Sequence, residues 1–196
     1  DCHAVFVAKI GGCPKSDLLK AGIEPVDLPN LDHRAVLSVH PDLDATGDKI
    51  AWVVEQGITR CRENGVLTEN ARGAVVAWSL GAEGVWSLFA TPARCDAMRL
   101  DAAVTFYPAN EDERPLRAIR PLLVLVGEAD DVTPLAELRE HLVADERVSM
   151  HTFEGAHHGF DIASLTQPRR VSLLPVIGPH ATFAGNEEAR RIANAR

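Results

Sequence analysis

The distribution of apolar and polar positions along the chain predicts an alternation of strands and helices. Continuous apolar runs at residues 74–78 and 121–126 are typical of buried parallel strands. Residues 44–64 carry apolar side chains at helical spacing and end at Asn64-Gly65, a typical helix stop. Further strands are predicted at residues 4–10, 35–39, 102–107 and 147–153, the last of these as the final strand, and further helices at residues 16–21, 82–90 and 186–196.

One more helix is predicted after residue 132, with Thr133 as its cap and Pro134 in its first turn. Residues 23–34 contain Pro25, Pro29 and Asn30 and are predicted to be irregular. Together these elements predict a single α/β domain over residues 1–196, with a mainly parallel sheet and helices on both faces. In such a sheet the loops that follow the strands open at one edge, where ligands bind.

Length and composition are those of a globular domain. The chain has 196 residues, 46% of them hydrophobic and 24% charged, and a chain of this length buries about 70% of its unfolded surface. The formal net charge is −8, and no run of basic residues exceeds a pair, which argues against a nucleic-acid or membrane partner. The apolar stretch 73–90 is broken by polar residues and glycines, so we expect a soluble protein.

The four cysteines are scattered, without a Cys-x-x-Cys pair, and predict neither a metal site nor a redox motif. They are interpreted as buried thiols, although three disulfide pairings remain possible in an oxidising compartment. The cytoplasm is therefore favoured over a periplasmic or secreted location. The glycines of residues 81–84 lack the Gly-x-Gly-x-x-Gly spacing of a dinucleotide site, so no cofactor is predicted. The expected partner is a small molecule, and the oligomeric state is left open.

The most informative stretch is Ala-Trp-Ser-Leu-Gly at residues 77–81, between a predicted strand and a predicted helix. It differs by one methyl group from the Gly-x-Ser-x-Gly pattern of a nucleophile elbow. In such an elbow the serine adopts a strained conformation with positive φ, and the residues two before and two after it must be small. The alternative is an ordinary turn, but the strand and helix on either side favour a nucleophile at Ser79.

Two further polar residues follow predicted strands at the same sheet edge. Asp130 lies after the strand at residues 121–126, and His158 after the strand at residues 147–153. A serine hydroxyl is a poor nucleophile until an imidazole accepts its proton, and a carboxylate can orient that imidazole. We therefore predict that Ser79, His158 and Asp130 meet as nucleophile, base and acid. The N–H of Leu80 and one N–H among Gly11, Gly12 and Cys13, with Gly12 taken as the candidate, would form the oxyanion hole.

Each of these residues has a simpler interpretation. Asp130 in a Gly-x-x-Asp-Asp loop could only satisfy backbone N–H groups, and His158 could be a surface histidine. His157, beside His158, is assigned a lesser role. With His151 these two histidines could suggest a metal, but adjacent histidines point in different directions and no acidic ligand spacing supports one. No metal is predicted.

With these motifs assembled, the chain resembles the dienelactone hydrolase family of the α/β-hydrolase superfamily. The resemblance covers residues 44–161 and depends on Ala-Trp-Ser-Leu-Gly-Ala at 77–82, Gly-Glu-Ala-Asp-Asp-Val-Thr-Pro at 127–134 and Glu-Gly-Ala-His-His-Gly-Phe at 154–160. Phe-Tyr-Pro at 106–108 is also similar. The resemblance implies an α/β-hydrolase-like fold, with Asp130 rather than Asp131 as the acid and His158 rather than His157 as the base.

The chain also departs from that family. Founding members use a cysteine nucleophile, whereas this chain has Ser79, which favours ordinary esterase chemistry on a small carboxylic ester or lactone through an acyl-enzyme. Ile162 stands where those enzymes would place an anion-binding arginine, so dienelactone itself is not the expected substrate. Two alternatives stay open at this point: a non-catalytic binding module of the same fold, and an acyltransferase in which an alcohol resolves the acyl-enzyme.

Overall fold

The computed structural model describes residues 4–8, 25–27, 45–110, 113, 115–142, 145–171 and 180–195, the first two ranges by their backbone alone. Two predictions, the helix at 16–21 and the strand at 35–39, lie outside these ranges. So does Gly12, the candidate for the second oxyanion donor. Among the helices of the described ranges, none has both the length and the apolar character needed to cross a bilayer.

A six-stranded parallel sheet forms the centre of the fold, with the strand order β2-β1-β3-β4-β5-β6. The sheet confirms the predicted α/β class with a mainly parallel sheet. Its strands are β1 (Ala4–Ala8), β2 (Pro25–Asp27), β3 (Gly73–Trp78), β4 (Leu100–Phe106), β5 (Leu122–Gly127) and β6 (Val148–Phe153).

The helices cover both faces of this sheet. They are α1 (Thr46–Glu63), α2 (Gly81–Phe89), α3 (Pro92–Met98), α4 (Leu135–His141) and α5 (Glu187–Ala193). The predicted stop of α1 is confirmed, since Asn64 is its C-cap and Gly65 has a φ of 71°. Helix α5 begins where the Asn186 side chain accepts a hydrogen bond from Ala189 N at 3.0 Å, which satisfies one of the otherwise unpaired N–H groups of its first turn.

The apolar runs are continuous because successive side chains of each central strand enter two different cores. One core contains α1, α2 and the odd-numbered positions of β3. The other core contains α5 and the even-numbered positions of β3. From the strands, the first core takes Val75, Ala77, Ala103, Val124 and Val126, and the second takes Val76, Trp78, Val104, Phe106, Leu123 and Leu125. Both neighbours of Ser79 in sequence are therefore buried, Trp78 in the second core and Leu80 in a smaller cluster with Ile50 and Ala109.

Four elements were not predicted. Residues 25–27 pair with β1 as a short strand, and α3 was not predicted. The strand at 148–153 is not the final one, because β7 (Arg169–Val171) and β8 (Ala181–Phe183) form an antiparallel hairpin after it. These elements have three to seven residues, too few to establish an apolar period.

The predicted start of α4 was wrong. The helix begins at Leu135, so Pro134 is its N-cap and not part of its first turn, and the Thr133 side chain makes no capping hydrogen bond. Instead, the backbone N–H of Thr133 donates to Asp130 Oδ1. The loop therefore turns around Asp130, and the helix starts where that turn ends.

Candidate active site

Ser79 lies in the sharp turn between β3 and α2. Its φ is 50°, which confirms the predicted positive value. Such a conformation persists only when its surroundings fix it. Ser79 N donates to Phe106 O at 3.0 Å, and Ser79 O accepts from Ala82 N at 3.0 Å and from Ala109 N at 3.2 Å. These three hydrogen bonds hold the turn to the end of β4 and to the first turn of α2.

Close packing beneath Ser79 fixes the direction of α2. Ala77 has no exposed surface, so the extra methyl group relative to the usual glycine is accommodated within the core. One turn into α2, a Cβ atom at Gly84 would lie 2.3 Å from Ile50 Cγ2. The backbone of α2 therefore rests directly on α1, and the turn that carries Ser79 has a rigid support.

His158 lies in the loop after β6, and its imidazole contacts both of the other predicted residues. Its Nε2 atom lies 2.9 Å from Ser79 Oγ, and its Nδ1 atom lies 2.9 Å from Asp130 Oδ2. An ionised carboxylate only accepts hydrogen bonds, so Nδ1 carries the proton and Nε2 accepts from the serine hydroxyl. The three side chains are therefore connected in the order serine, imidazole, carboxylate, across 79 residues of sequence.

Asp130 makes the contacts that belong to both of the alternative interpretations given above. Its Oδ1 atom accepts from Val132 N and Thr133 N, both at 2.9 Å, as in an Asx turn. The same carboxylate contacts His158, and its side chain has no exposed surface. Backbone donors therefore fix the carboxylate on one side, and the imidazole contacts it on the other.

Two aromatic rings enclose the imidazole. The ring centroids of Tyr107 and Phe183 lie 4.4 Å and 4.9 Å from that of His158. Phe183 belongs to β8, and Asp131 anchors this strand by accepting from Thr182 N and Oγ1, both at 2.8 Å. His158 is 1% exposed as a result. Sequence reasoning missed both rings, although Tyr107 lies in the Phe-Tyr-Pro motif.

Of the described residues considered in the sequence analysis, Leu80 and His151 make none of these side-chain contacts. Leu80, whose N–H is the predicted oxyanion donor, directly precedes α2. The ring of His151 packs edge to face on Phe153, with centroids 4.7 Å apart. Within the described part of the chain, no group of three His, Cys, Asp or Glu residues could hold a metal ion.

A sequence model of the dienelactone hydrolase family matches residues 69–188, more than half of the chain, and includes Ser79, Asp130 and His158. The chain belongs to the dienelactone hydrolase family.

Solved structures show the same fold as this dienelactone hydrolase family member. A predicted CIB-like hydrolase from Thermoplasma acidophilum superposes with a TM-score of 0.53 at 16% identity, over 82% of this chain and 79% of the other. An α/β serine hydrolase homologue from Coxiella burnetii gives 0.52 at 13% identity, over 81% and 77% of the two chains. A puromycin hydrolase gives 0.57 at 18% identity, over 82% of this chain and 31% of the other.

A short stretch of the chain matches a different protein. Over 27 residues, 14% of the chain, it is 93% identical to the FeMo cofactor biosynthesis protein NifB of Bradyrhizobium diazoefficiens and 85% identical to that of Herbaspirillum seropedicae. The chain spans only 5% of the length of these two relatives. The family assignment therefore depends on the dienelactone hydrolase match alone.

A second carboxylate in the histidine loop of this dienelactone hydrolase family member binds Tyr107, whose ring packs on the imidazole. Asp161 Oδ1 accepts from the Tyr107 hydroxyl, and its Oδ2 accepts from Trp78 Nε1, both at 2.7 Å. Burial raises the pKa of Asp161, although both hydrogen bonds oppose the change. Burial, reinforced by the charge of Asp161, also raises the pKa of Tyr107 well above its usual range. Tyr107 is therefore neutral and donates its proton to the carboxylate.

An acidic cavity of about 430 Å³ adjoins the site at the same sheet edge. Ala109, whose N–H binds Ser79 O, lies on one side, and Val132 and Thr133, whose N–H groups bind Asp130, lie on another. Among the described residues that line the cavity, acidic side chains outnumber basic ones: the titratable residues of this set are Glu113, Glu137, Glu140 and His141. A bound group with positive charge would be favoured there over one with negative charge.

Proposed function

We propose that this protein is a hydrolase that cleaves small carboxylic esters or lactones by nucleophilic catalysis, with Ser79 as nucleophile, His158 as general base and Asp130 as the acid that orients it. The single observation that carries the proposal is the pair of 2.9 Å contacts of His158, one to Ser79 Oγ and one to Asp130 Oδ2. Neither contact requires rearrangement before attack. The aromatic enclosure of the imidazole supports the same roles, because it limits the orientations of the ring.

In the proposed first step, Ser79 Oγ attacks the ester carbonyl carbon while its proton passes to His158 Nε2. The imidazolium then gives this proton to the leaving alcohol oxygen as the C–O bond breaks, and an acyl-enzyme remains on Ser79. Water then attacks the acyl carbon while its proton passes to His158 Nε2. The imidazolium returns this proton to Ser79 Oγ as the bond between the acyl carbon and Oγ breaks, which releases the carboxylic acid and restores the serine hydroxyl. Asp130 stays ionised throughout and stabilises the imidazolium.

The developing negative charge on the carbonyl oxygen needs hydrogen-bond donors, and Leu80 N–H is the proposed first donor. Leu80 immediately precedes α2, a helix of nine residues. The N-terminal end of a helix carries a partial positive charge, which favours an oxyanion nearby. The second donor is proposed, as before, to come from the segment after β1.

The acidic cavity adds a preference on the substrate side. Glu113, Glu137 and Glu140 would repel an acyl or alcohol group that carries a carboxylate. The absence of an arginine at position 162 works in the same direction. We therefore propose neutral or cationic esters as the substrate class, in preference to carboxylated lactones.

A fluorophosphonate probe and p-nitrophenyl acetate test the nucleophile directly. The wild-type protein should hydrolyse the ester and be labelled at Ser79, located by peptide mass spectrometry. Ser79→Ala should show neither, with a melting temperature close to that of the wild type, because it removes one hydroxyl oxygen. Folded wild-type protein that is neither labelled nor active would reject the proposal in favour of a binding module, and a fully active Ser79→Ala would reject this nucleophile. A competing alcohol that forms a new ester would identify an acyltransferase.

A further inference from the structure

The carboxylate of Asp161 joins three parts of the site that are distant in sequence. It accepts one hydrogen bond from Trp78, the last residue of β3, and one from Tyr107, the first residue after β4. Asp161 itself lies three residues after His158. One side chain therefore connects the backbone on both sides of the reacting groups, and each of its oxygens contacts a different donor at 2.7 Å.

Tyr107 links Asp161 to the imidazole, because its hydroxyl binds Asp161 and its ring packs on His158. Its ring centroid lies 4.4 Å from that of His158, with an angle of 56° between the ring planes. Tyr107 is 4% exposed and has a φ of 36°, an unusual backbone conformation for a large side chain. Its N–H also donates to Leu125 O at 2.6 Å. The Tyr107 ring is therefore held through its backbone at one end and through its hydroxyl at the other, and the His158 ring packs against it.

We propose that Asp161 is a positioning residue for the reaction proposed above: it fixes Tyr107 against the His158 ring and Trp78 beside Ser79, and its negative charge favours the imidazolium that forms during attack. This inference rests on the proposed function. No step of that function requires Asp161 to touch the substrate or to transfer a proton.

The effect of a substitution at Asp161 on His158 depends on the other groups that face the imidazole. They come from four elements and from the histidine's own loop: Ser79 after β3, Tyr107 after β4, Asp130 after β5, Phe183 of β8, and Asp161. Asp130 and Asp161 are the two carboxylates of this set. Asp130 binds the imidazole directly, so its removal changes both hydrogen bonding and charge, whereas Asp161 acts through Tyr107 and across space.

Two substitutions of Asp161 separate the effect of its hydrogen bonds from the effect of its charge. In Asp161→Asn, the amide oxygen can accept from Trp78 and the amide N–H can donate to the Tyr107 oxygen, so both hydrogen bonds persist without the charge. Asp161→Ala removes hydrogen bonds and charge together. Tyr107→Phe keeps the ring and the carboxylate and removes the hydroxyl. Asp101→Asn is the matched control, since it removes the same charge from an exposed pair with Arg72.

For ester hydrolysis we expect kcat to fall about 10- to 100-fold in Asp161→Ala with little change in KM, because a displaced base acts on the chemical step. Asp161→Asn should lose less than about 10-fold, and the acidic limb of its kcat/KM profile should move to lower pH, because the imidazolium is less stabilised. A residue with only a structural role would not move that limb. Asp101→Asn should match the wild type in both measurements.

The outcomes distinguish this proposal from the proposed function. If the wild-type protein hydrolyses the ester and Ser79→Ala does not, the proposed function stands. The role of Asp161 would then be overturned if Asp161→Asn had the kcat and the acidic limb of the kcat/KM profile of the wild type, and Asp161→Ala had the kcat of the wild type. If Asp161→Ala does not fold, Asp161→Asn and Tyr107→Phe test the proposal in its place. Wild-type kinetics in Tyr107→Phe would show that Asp161 does not act through the Tyr107 hydroxyl. The His158 Nδ1 proton, observed by NMR without turnover, should exchange faster in Asp161→Ala than in the control.

Discussion

Gly127 and Ala156 approach so closely that a Cβ atom at position 127 would lie 2.0 Å from Ala156 O. Gly127 ends β5, and Ala156 lies in the loop after β6. The contact continues in a hydrogen bond from Ala129 N to Ala156 O at 3.0 Å. The loops that carry Asp130 and His158 are therefore held together by their backbones, before their side chains meet.

Gly127→Ala should destabilise the fold by about 2 kcal/mol or more and displace His158 from Asp130, because the obstacle is a backbone carbonyl that cannot rotate away. Urea unfolding monitored by circular dichroism measures the first effect, and kcat for ester hydrolysis the second. Gly65→Ala is the control: nothing lies within 4 Å of its Cβ position, so only the positive φ adds a cost. Equal stability of Gly127→Ala and the wild type would contradict the close approach.

The neighbouring carboxylates Asp130 and Asp131 should differ strongly in their effect on activity. Asp130→Asn is expected to lower kcat by about 10³- to 10⁴-fold, because an amide no longer fixes the imidazole tautomer. Asp131→Asn should lower it less than about 10-fold, since Asp131 contacts Thr182 and not the imidazole. Steady-state kinetics on a single ester compare the two variants, and a reversed order of effects would show that the acid has been assigned to the wrong residue.

The Asp131 contact should also make part of the stability depend on pH. Although partial burial acts in the opposite direction, hydrogen bonds from Thr182 lower the pKa of Asp131. A carboxyl whose folded pKa lies below its unfolded value of about 4 stabilises the fold above that pH, and this contribution is lost as the pH falls through the folded value. For an exposed group we expect a stabilisation on the order of 0.5 kcal/mol.

Asp131→Asn should therefore be less stable than the wild type at pH 7, and the difference should shrink towards pH 2. Thermal unfolding at both pH values measures this difference. Asp101→Asn reports the pH dependence of an unrelated carboxylate. A difference for Asp131→Asn that grows on acidification would contradict the sign.

The thiol of Cys95 should be inert in the folded protein. It has no exposed surface, and burial raises its pKa to about 11. Reaction requires the thiolate, so at pH 8 iodoacetamide should modify Cys95 at least about 100-fold more slowly in native protein than in urea. Cys61 is half-buried and should react faster. Peptide mass spectrometry of a labelling time course measures both sites, and rapid native labelling of Cys95 would contradict its burial.

Ester charge should affect turnover through the acidic cavity. Among p-nitrophenyl esters of similar length, kcat/KM should be lowest for an ester with a terminal carboxylate and higher for neutral and ammonium-bearing ones. Added salt should narrow the difference, since it screens charge. Glu137→Gln with Glu140→Gln should raise kcat/KM for the anionic ester and leave the neutral one unchanged. Equal turnover of all three esters would exclude the cavity from substrate binding.

The parts of the fold that the sequence predicted are those where burial dictates residue type. Strands β3 and β5 lie between two cores, so both sets of alternate side chains must be apolar, and the run is visible without any structure. The elbow was predicted for a related reason: a positive φ at Ser79 requires small neighbours at fixed positions. The contacts of Ser79, Asp130 and His158 agree with the rule that loops after parallel strands share an edge, while their catalytic roles stay predictions.

Contacts between side chains far apart in sequence could not be predicted in the same way. Asp161 contacts Trp78 and Tyr107 across 83 and 54 residues, and no local sequence pattern pairs residues so far apart. The hairpin that brings Phe183 to His158 has three-residue strands, and β7 is exposed throughout, so no alternation marks it. The sequence indicated only that the three residues lie near the predicted site. Trp78 ends β3, Tyr107 follows β4 and Asp161 lies in the loop after β6, all at the sheet edge where the site was expected.

Trp78 gives the molecule a built-in optical reporter. Its indole is stacked on Phe106 at a centroid distance of 5.2 Å and donates to Asp161 in the histidine loop. If Trp52 and Trp86 are replaced by phenylalanine, the emission of the one remaining indole will change whenever that loop shifts. Acylation, inhibitor binding and loop opening can then be followed in real time without a chromogenic substrate.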